Sequence, residues 1–529
     1  MADTITANAG AMPPRTAAPG VETRRMLAFL CMVFGMFMAI LDIQVVSASL
    51  AEIQAGLSAS SDEISWVQTS YLIAEVVMIP LSGFLSRALS TRWLFAASAA
   101  GFTLMSFMCA TATSIEQMIV YRALQGFLGG GMIPSVFAAA YSVFPREKQP
   151  IVAPMIGLVA TLAPTIGPTV GGYLTDLFSW HWLFLVNVVP GIFVVIAAVT
   201  LIDFDEPDFG LLDRFDWWGL LFMAGFLGSL EFVLEEGPTN DWFEDQYIVI
   251  FALVCAVSAV AFFIRVLRAA EPVVDLRAFE NRNFAVGSAF SFVLGIGLYG
   301  LTYLYPIYLG RVRGYSALQI GETMFVTGVA MFLTAPIAGR LMTKVDPRIM
   351  MGTAFAGFAL GTWWVTGITK DWDFWDLFIP QILRGTSLMI AMIPINNLSL
   401  GTLAPLQLKN ASGLFNLMRN LGGAVGLAVI NTVLNNRWDL HLARLHEHVE
   451  WASQVALDRI DGMTSAFSKL GSDAALAALK QMAALVRREA LVMAFADVFF
   501  VLTFLFLMLV VATPLMQRPK PGAAGGGGH

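Results

Sequence analysis

The sequence predicts an all-α polytopic membrane protein of fourteen transmembrane helices, two six-helix bundles plus two extra helices. Three observations carry this reading. Of 529 residues, 57% are hydrophobic and only 13% are charged, about half the ~25% of an ordinary soluble chain. The apolar residues fall in long unbroken runs near the ~20 residues that cross a bilayer as a helix, not in the alternating ~10-residue segments of a barrel. A motif also recurs at one offset: Pro80, Gly83, Leu85 and Arg92 are followed 256 positions later by Pro336, Gly339, Leu341 and Arg348. This composition excludes a soluble enzyme, a disordered chain and a nucleic-acid binder. The net charge of −7 matters less than where the charges lie.

Residues 1–23 are small, polar and proline-containing, and read as a disordered cytoplasmic N-terminus. Arg24 and Arg25 precede an apolar run that is too long for a signal-peptide core and is followed by many more, so it reads as uncleaved span 1. The spans fall at about 26–47, 64–85, 92–112, 117–142, 150–175, 182–202, 215–234, 246–267, 284–309, 317–342, 348–367, 374–401, 410–434 and 491–514. Loops on one side hold Arg24, Arg87, Arg92, Arg146, Lys148, Arg214, Arg265, Lys344, Lys409 and Arg518. The opposite loops after spans 1, 3, 5 and 7 hold acids such as Glu52, Glu63, Glu116, Asp176 and Glu235. The positive-inside rule therefore places both termini in the cytoplasm.

The repeat makes spans 1–6 and 9–14 two copies of one unit and spans 7 and 8 an insert. The expected organisation is a first bundle over 24–202, a linker with two extra helices over 203–282 and a second bundle over 283–514. The second bundle carries a periplasmic helical loop at 435–490, and residues 515–529 form a cytoplasmic tail. In that loop Trp438, Leu442, Leu445, Val449 and Ala452 have the spacing of a coiled-coil seam, and Ser472-Asp473 reads as a helix N-cap.

Five patterns carry the chemistry. Asp42 lies within span 1, where an ionised carboxylate is costly and suited to bind and release a proton as water access changes; the alternative is a locally paired interfacial Asp. Gln68, Tyr71 and Glu75 follow one another at i, i+3 and i+7, so they are expected on one helical face turned to a cavity. Glu75 reads as a second proton site, a contact for cationic compounds, or a structural hydrogen bond. Gly83, Arg87 and Arg92 lie in the loop between spans 2 and 3, with packing, gating and positive-inside roles all open. Arg122, Gln125 and Gly126 lie in span 4. Arginine does not deprotonate and must find a partner, Asp42 first and Glu75 second. Pro164, Gly167, Pro168, Gly171 and Gly172 in span 5 read as a kinked, closely packed helix.

Together these patterns resemble the major facilitator superfamily, and within it the 14-helix drug:proton antiporters of the EmrB/QacA type. The resemblance covers about residues 24–514. It implies the major facilitator fold, with Asp42 in the acidic motif of span 1 and Gly83 to Arg92 in the cytoplasmic gate motif. Here Arg87 stands at the usual Asp position and Ser90 replaces a Gly, which puts the usual charge lock in doubt. Arg122 falls in the proton-relay motif, and Pro164 to Gly172 fall in the motif found in exporters. The implied activity is proton-driven efflux of hydrophobic or amphipathic drugs by alternating access, coupled through Asp42, Glu75 and Arg122. Gln68, Tyr71, Glu75, Gln125, Arg419 and Asn420 are candidate cavity residues. The alternative is a dedicated exporter of one fatty acid, siderophore or metabolite. The implied location is the bacterial inner membrane, and the implied partners are a periplasmic adaptor and a TolC-type outer-membrane channel, with no nucleic acid. The loop at 435–490 reads as the adaptor's docking site or as a lid over the outer cavity.

The rest is quieter. Arg384 and Arg419 are intramembrane charges of the second half, and Glu231 and Glu235 read as interfacial. Cys31, Cys109 and Cys255 sit in apolar runs without metal or disulfide spacing. No phosphate-binding loop for ATP is present, and His441, His446 and His448 lack a fourth ligand at good spacing. No cofactor or metal is expected, the proton gradient being the energy source.

Overall fold

The computed structural model describes residues 19–145, 148–269, 272–448 and 454–517. Residues 1–18 and 518–529, most of the expected N-terminal arm and tail, lie outside them, as do Arg146, Val449 and Ala452. Every regular element among the described residues is helical. The first half comprises α1 (Pro19–Ala48), the short α2 (Leu50–Leu57) and α3 (Ser61–Ile64), α4 (Trp66–Ala110), α5 (Ile115–Gly129), α6 (Met132–Val143), α7 (Gln149–Leu177), α8 (Trp182–Leu185) and α9 (Val188–Leu201). The insert is α10 (Trp217–Glu236) and α11 (Gln246–Arg268). The second half is α12 (Arg282–Arg311), α13 (Ala317–Met342), α14 (Pro347–Val365), α15 (Phe374–Leu400), α16 (Pro405–His448), α17 (Gln454–Ala466) and α18 (Ala474–Ala512).

Among the described residues, eleven helices are long and apolar enough to cross a membrane, and α7, bent by 45° around Thr165, makes twelve. One of the eleven, α4, is two spans joined at Ser90, whose φ of 74° and ψ of 159° break the helix. Its two limbs return to the same turns of α5. Arg122 Nε donates to Val67 O at 3.2 Å, and Cys109 Sγ donates to Gln125 Oε1 at 3.6 Å. With α14, 19 residues packed between α15 and α18, the architecture is consistent with fourteen spans.

Local chemistry sets the starts of several helices. Ser316 and Gln319 close a capping box at α13, as do Asp373 and Asp376 at α15, satisfying amides that the first helical turn leaves free. Asp245 and Asn281 cap α11 and α12 with their side-chain oxygens. In the connector between α2 and α4, hydrogen bonds from Ser60 hold the Glu63 carboxyl below its ordinary range.

The two halves use the same helix pairings. In the first, α1 packs on α7, α4 on α5, and α4 on α9; in the second, α12 packs on α16, α13 on α15, and α14 on α18. Glycines make the equivalent contacts close. Gly126 lies on the Tyr71 carbonyl, and Gly385 lies on the Thr327 carbonyl. The main apolar cluster runs through both halves, with two smaller ones, around Val67, Met118 and Phe184 in the first half and around Phe232 and Ile248 in the insert. Helix α10 packs on both α4 and α16, so the insert bridges the halves, whereas α11 packs on α10 and exposes Leu253, Val257 and Val260. In the segment expected to form a helical loop, α16 continues to His448 and α18 begins at Ala474. Trp438 Nε1 donates to Arg487 O at 3.2 Å, and His441 Nε2 lies 2.8 Å from Asp497 Oδ2, so the two helices run side by side.

Candidate functional site

Asp42 and Arg122 form a fully enclosed ion pair. Asp42 on α1 is 1% exposed and Arg122 on α5 is 0% exposed, with Nη1 at 2.6 Å from Asp42 Oδ2. A buried pair is stable only when its remaining polar atoms are satisfied, and two side chains, with the Val67 carbonyl, do much of that. Gln125, one turn on from Arg122, accepts from Nη1 at 2.8 Å and donates to Asp42 Oδ1 at 3.3 Å. Asn187 at the start of α9 donates to Asp42 Oδ1 at 2.8 Å. The guanidinium stacks 4.2 Å from the centre of the Tyr71 ring. Arg122 Nη2 and the Tyr71 hydroxyl are left without hydrogen-bond partners.

Beside this pair lies a cavity of about 1180 Å3 between the halves. Gln68 and Glu75 of α4, Pro168 of α7 and Asn420 of α16 line it, as do Ile43 and Gln44, the residues that follow Asp42. Tyr71, Gln125, Arg419 and the Asp42–Arg122 pair do not. The i, i+7 spacing of Gln68 and Glu75 returns to nearly the same helical direction, whereas Tyr71, at i+3, lies about 60° to one side and goes under Arg122 instead. Glu75, 3% exposed, has no hydrogen-bond or ion-pair partner among the described residues. Arg419 lies with its guanidinium carbon 5.4 Å from the Phe137 ring centre and 5.2 Å from that of Phe415, and donates to Asn396 Oδ1 at 2.9 Å. Neighbouring Asn420 accepts from Tyr299 OH at 3.3 Å.

The cavity wall also includes residues that sequence reasoning left aside. Glu231 and Glu235 on α10, expected at the interface, line the cavity together with Glu236. Helix α10 comes close to α4 at Gly228, where an added Cβ would sit 3.3 Å from Ile73, and that packing turns Glu231 inward. No role for Asn187, just before α9, was legible in the sequence, yet it donates to Asp42 Oδ1.

The cavity closes at the end that carries the basic loops. An added Cβ at Gly83 would lie 2.8 Å from Asn410 Cα, and one at Gly413 would lie 3.0 Å from Ile79 O. Lys409 Nζ donates to Ser86 O at 2.9 Å and pairs with Asp205. Asp205 also accepts from Thr91 N at 3.1 Å. Arg92 donates to Ile202 O at 2.5 Å and to Asp203 Oδ1 at 2.8 Å. Arg87 lies against the Phe84 ring at 5.7 Å. On the far side of the cavity α7 meets α1 at Gly167 and Gly171, whose added Cβ atoms would press on Gln44 and on Val45 O. Pro164 is buried in the bend, and Gly172 O accepts from Thr175. Among the described residues no three His, Cys, Asp or Glu side chains are grouped to hold a metal.

Two matching helical bundles around a central cavity, with buried charges at its side, define a multi-pass membrane transporter. The description of the Major Facilitator Superfamily matches residues 32–427. The colistin resistance protein EmrB of Acinetobacter baumannii is 42% identical over 496 residues, 93% of this chain and 96% of that protein. The multidrug export protein EmrB of Escherichia coli K12 is 29% identical over 93% of this chain and 95% of its own length. The fatty acid resistance protein FarB of Neisseria gonorrhoeae is 28% identical over 95% and 98%. In fold the chain is similar to the human organic anion transporter MFSD10, with a TM-score of 0.56, 13% identity and coverage of 94% of this chain and all of that one. The chain therefore belongs to the Major Facilitator Superfamily, and within it to the EmrB-type proteins.

Proposed function

We propose that the protein is a proton-driven multidrug efflux antiporter of the bacterial inner membrane, exporting hydrophobic or amphipathic compounds by alternating access. The observation that carries this reading is the Asp42–Arg122 pair, sealed behind the wall of a cavity that is closed at its basic end. A proton on Asp42 cancels the charge that holds Arg122 and frees α1, whose next residues Ile43 and Gln44 form the cavity wall. The cavity's mix of aromatic side chains such as Trp66, Phe251 and Tyr303 with the carboxylates Glu75 and Glu231 suits adaptable apolar recognition, with a place for positive charge beside those two carboxylates. With the positive-inside assignment, both termini and the closed end face the cytoplasm, so the conformation described here opens outward. The membrane potential contributes about 2.3 kcal/mol per charge per 100 mV.

The names of the EmrB relatives support multidrug export. The FarB likeness favours the second reading, a dedicated exporter of a fatty acid or other metabolite. The extended ends of α16 and α18, with Val455 of α17 81% exposed, support docking of a periplasmic adaptor that leads to a TolC-type channel. The test is dye accumulation in inverted vesicles under an imposed pH gradient. Uptake of several unrelated dyes that an uncoupler abolishes is expected; transport unaffected by the uncoupler refutes proton drive, and transport of fatty acid alone favours the second reading.

A further inference from the structure

The second half rebuilds the arginine site of the first and leaves out its acid. Gly126 and Gly385 make equivalent contacts 259 positions apart, and at that offset Arg122 and Gln125 fall on Gln381 and Arg384. The arginine and the glutamine have changed places, one helical turn apart in both halves. Arg384 is 3% exposed. Its Nη2 donates to Thr302 Oγ1 at 2.5 Å, and its Nη1 reaches Gln381 Oε1 at 3.5 Å. Its guanidinium carbon lies 5.6 Å from the Tyr305 ring centre, and its Nε has no partner. Among the described residues no carboxylate pairs with it. On α12 Thr302 takes the place beside Arg384 that Asp42 of α1 takes beside Arg122, a hydroxyl instead of a charge.

A guanidinium keeps its proton, and a buried charge without a counter-charge is strongly disfavoured. The first half resolves this internally. The second half offers an exit instead, because Thr302 lines the cavity while Arg384 lies directly behind it. The Thr302 hydroxyl gives its hydrogen to Leu298 O and accepts one from Arg384, so an anion in the cavity reaches the guanidinium by turning the Thr302 side chain aside and taking over its bond to Nη2. Glu75 on α4 and Glu231, Glu235 and Glu236 on α10 line the same cavity, and none of them pairs with Arg384 among the described residues. The other buried second-half arginine, Arg419, is flanked by two phenylalanine rings, and Asn396, its hydrogen-bond acceptor, is not a cavity residue; Arg311, at the end of α12, lines the cavity itself and stays in place in both variants tested below.

We propose that Arg384, acting through the Thr302 wall of the cavity, binds a monoanion. The two sources with this chemistry are chloride and the carboxylate of an amphipathic substrate. The proposal deepens the transport reading by giving the cavity an anion subsite, but it is tested by binding alone, so failure of one leaves the other standing.

The experiment is thermal unfolding of the purified full chain at constant ionic strength. Sodium chloride is titrated against sodium gluconate, and octanoate against octanol. Wild type is expected to be stabilised by chloride, by octanoate or by both, and octanol to have no such effect. A response to chloride marks an ion site, and a response to octanoate alone marks a substrate headgroup site. Arg384→Gln should weaken the apparent affinity about tenfold or more, the effect of losing a charge-assisted hydrogen bond. Thr302→Asp is the second variant. It supplies the missing carboxylate from within, so it should remain folded and lose the anion response. No stabilisation of wild type by either anion overturns the proposal, as does an undiminished response in Thr302→Asp.

Discussion

Replacing Asp42 by Asn tests the proposed coupling site at its centre. The substitution keeps shape and removes one charge. In the structure both carboxylate oxygens face donors: Oδ2 faces Arg122 Nη1, and Oδ1 faces the amides of Asn187 and Gln125. An asparagine keeps only one carbonyl oxygen, so its NH2 must point at a donor whichever way it turns. Arg122 remains charged, 0% exposed, with Val67 O and Gln125 Oε1 as its remaining acceptors. Removing one member of such a buried pair costs about 3–5 kcal/mol. Asp42→Asn should therefore lower the unfolding temperature and abolish pH-gradient-driven dye transport in proteoliposomes. The double variant Asp42→Asn/Arg122→Gln removes the stranded charge, so it should recover most of the stability and none of the transport. Gradient-driven transport at the wild-type rate in Asp42→Asn would refute the coupling role. A double variant no more stable than the single one would refute the electrostatic account of the loss.

Arg122→Lys keeps the charge but cannot serve Val67 O, Gln125 Oε1 and Asp42 together, so gradient-driven transport should fall about tenfold or more; wild-type kinetics in vesicles would show that only charge matters. Glu75→Gln should weaken export of cationic dyes more than of neutral ones, read as the ratio of their transport rates, and an equal fall would assign Glu75 to coupling or structure instead. Lys409→Met removes the bond to Ser86 O and the pair with Asp205, so the basic end should open more often. In a Ser86→Cys background, maleimide labelling from that side should rise several-fold, and unchanged labelling would show the closure is held elsewhere. Ser90→Gly relieves a backbone conformation that costs a non-glycine residue about 1–3 kcal/mol, partly offset by the entropy of an added glycine. A net gain of about 1 kcal/mol should appear as a higher unfolding temperature, and a drop would mean the Ser90 side chain holds the turn.

The parts of this architecture with a period or a repeat were legible in the sequence. The apolar runs marked the membrane-crossing stretches, α13 at Ala317–Met342 coinciding with the expected span, because a bilayer imposes one length and one polarity on every crossing segment, whereas α16 and α18 run well past the expected 434 and start well before the expected 491. The recurrence of Pro80 to Arg92 at Pro336 to Arg348 marked the two halves. Asp42 and Arg122 stood out because ionised side chains are rare in apolar spans. What stayed hidden depends on helix rotation and on contacts between distant segments. The sequence placed Glu231 late in α10 but did not say that α10 would lean on α4 and turn it into the cavity. Tyr71 shared a polar stripe with Gln68 and Glu75, yet stacking on Arg122 took it out of the cavity wall. Thr302 carried no signal, since a lone threonine in an apolar helix commonly bonds its own backbone, as this one does to Leu298 O at 2.7 Å.

The departure at Arg87 has a structural answer elsewhere in the chain. The gate motif of the family places an acid after the second span, and here an arginine lies there against Phe84. The carboxylate comes instead from Asp205, in the linker behind α9. It accepts from Thr91 N at the start of the second limb of α4, where a helix leaves its first amides free and favours negative charge. The same carboxylate pairs with Lys409 of α16, so one acid ties the first half's cap to the second half's helix. Ser90, in a conformation suited to glycine, is the residue that presents Thr91 N to Asp205. The closure thus involves three segments: the turn of α4, the linker after α9 and the start of α16. Separating the halves at this end requires Lys409 to leave both Asp205 and Ser86 O while Asn410 leaves Gly83. Under the proposed coupling role, protonation of Asp42 would reach these contacts only through the helices between them. Helix α1 is the candidate carrier, since Gly167 and Gly171 press α7 against it at Gln44 and Val45, next to Asp42. Bulky substitution at Gly167 should then uncouple proton release from opening of the basic end even with Asp42, Arg122 and Lys409 intact. The readout is gradient-driven dye transport set against maleimide labelling at Ser86→Cys, and normal transport in a Gly167→Val variant would rule out that route.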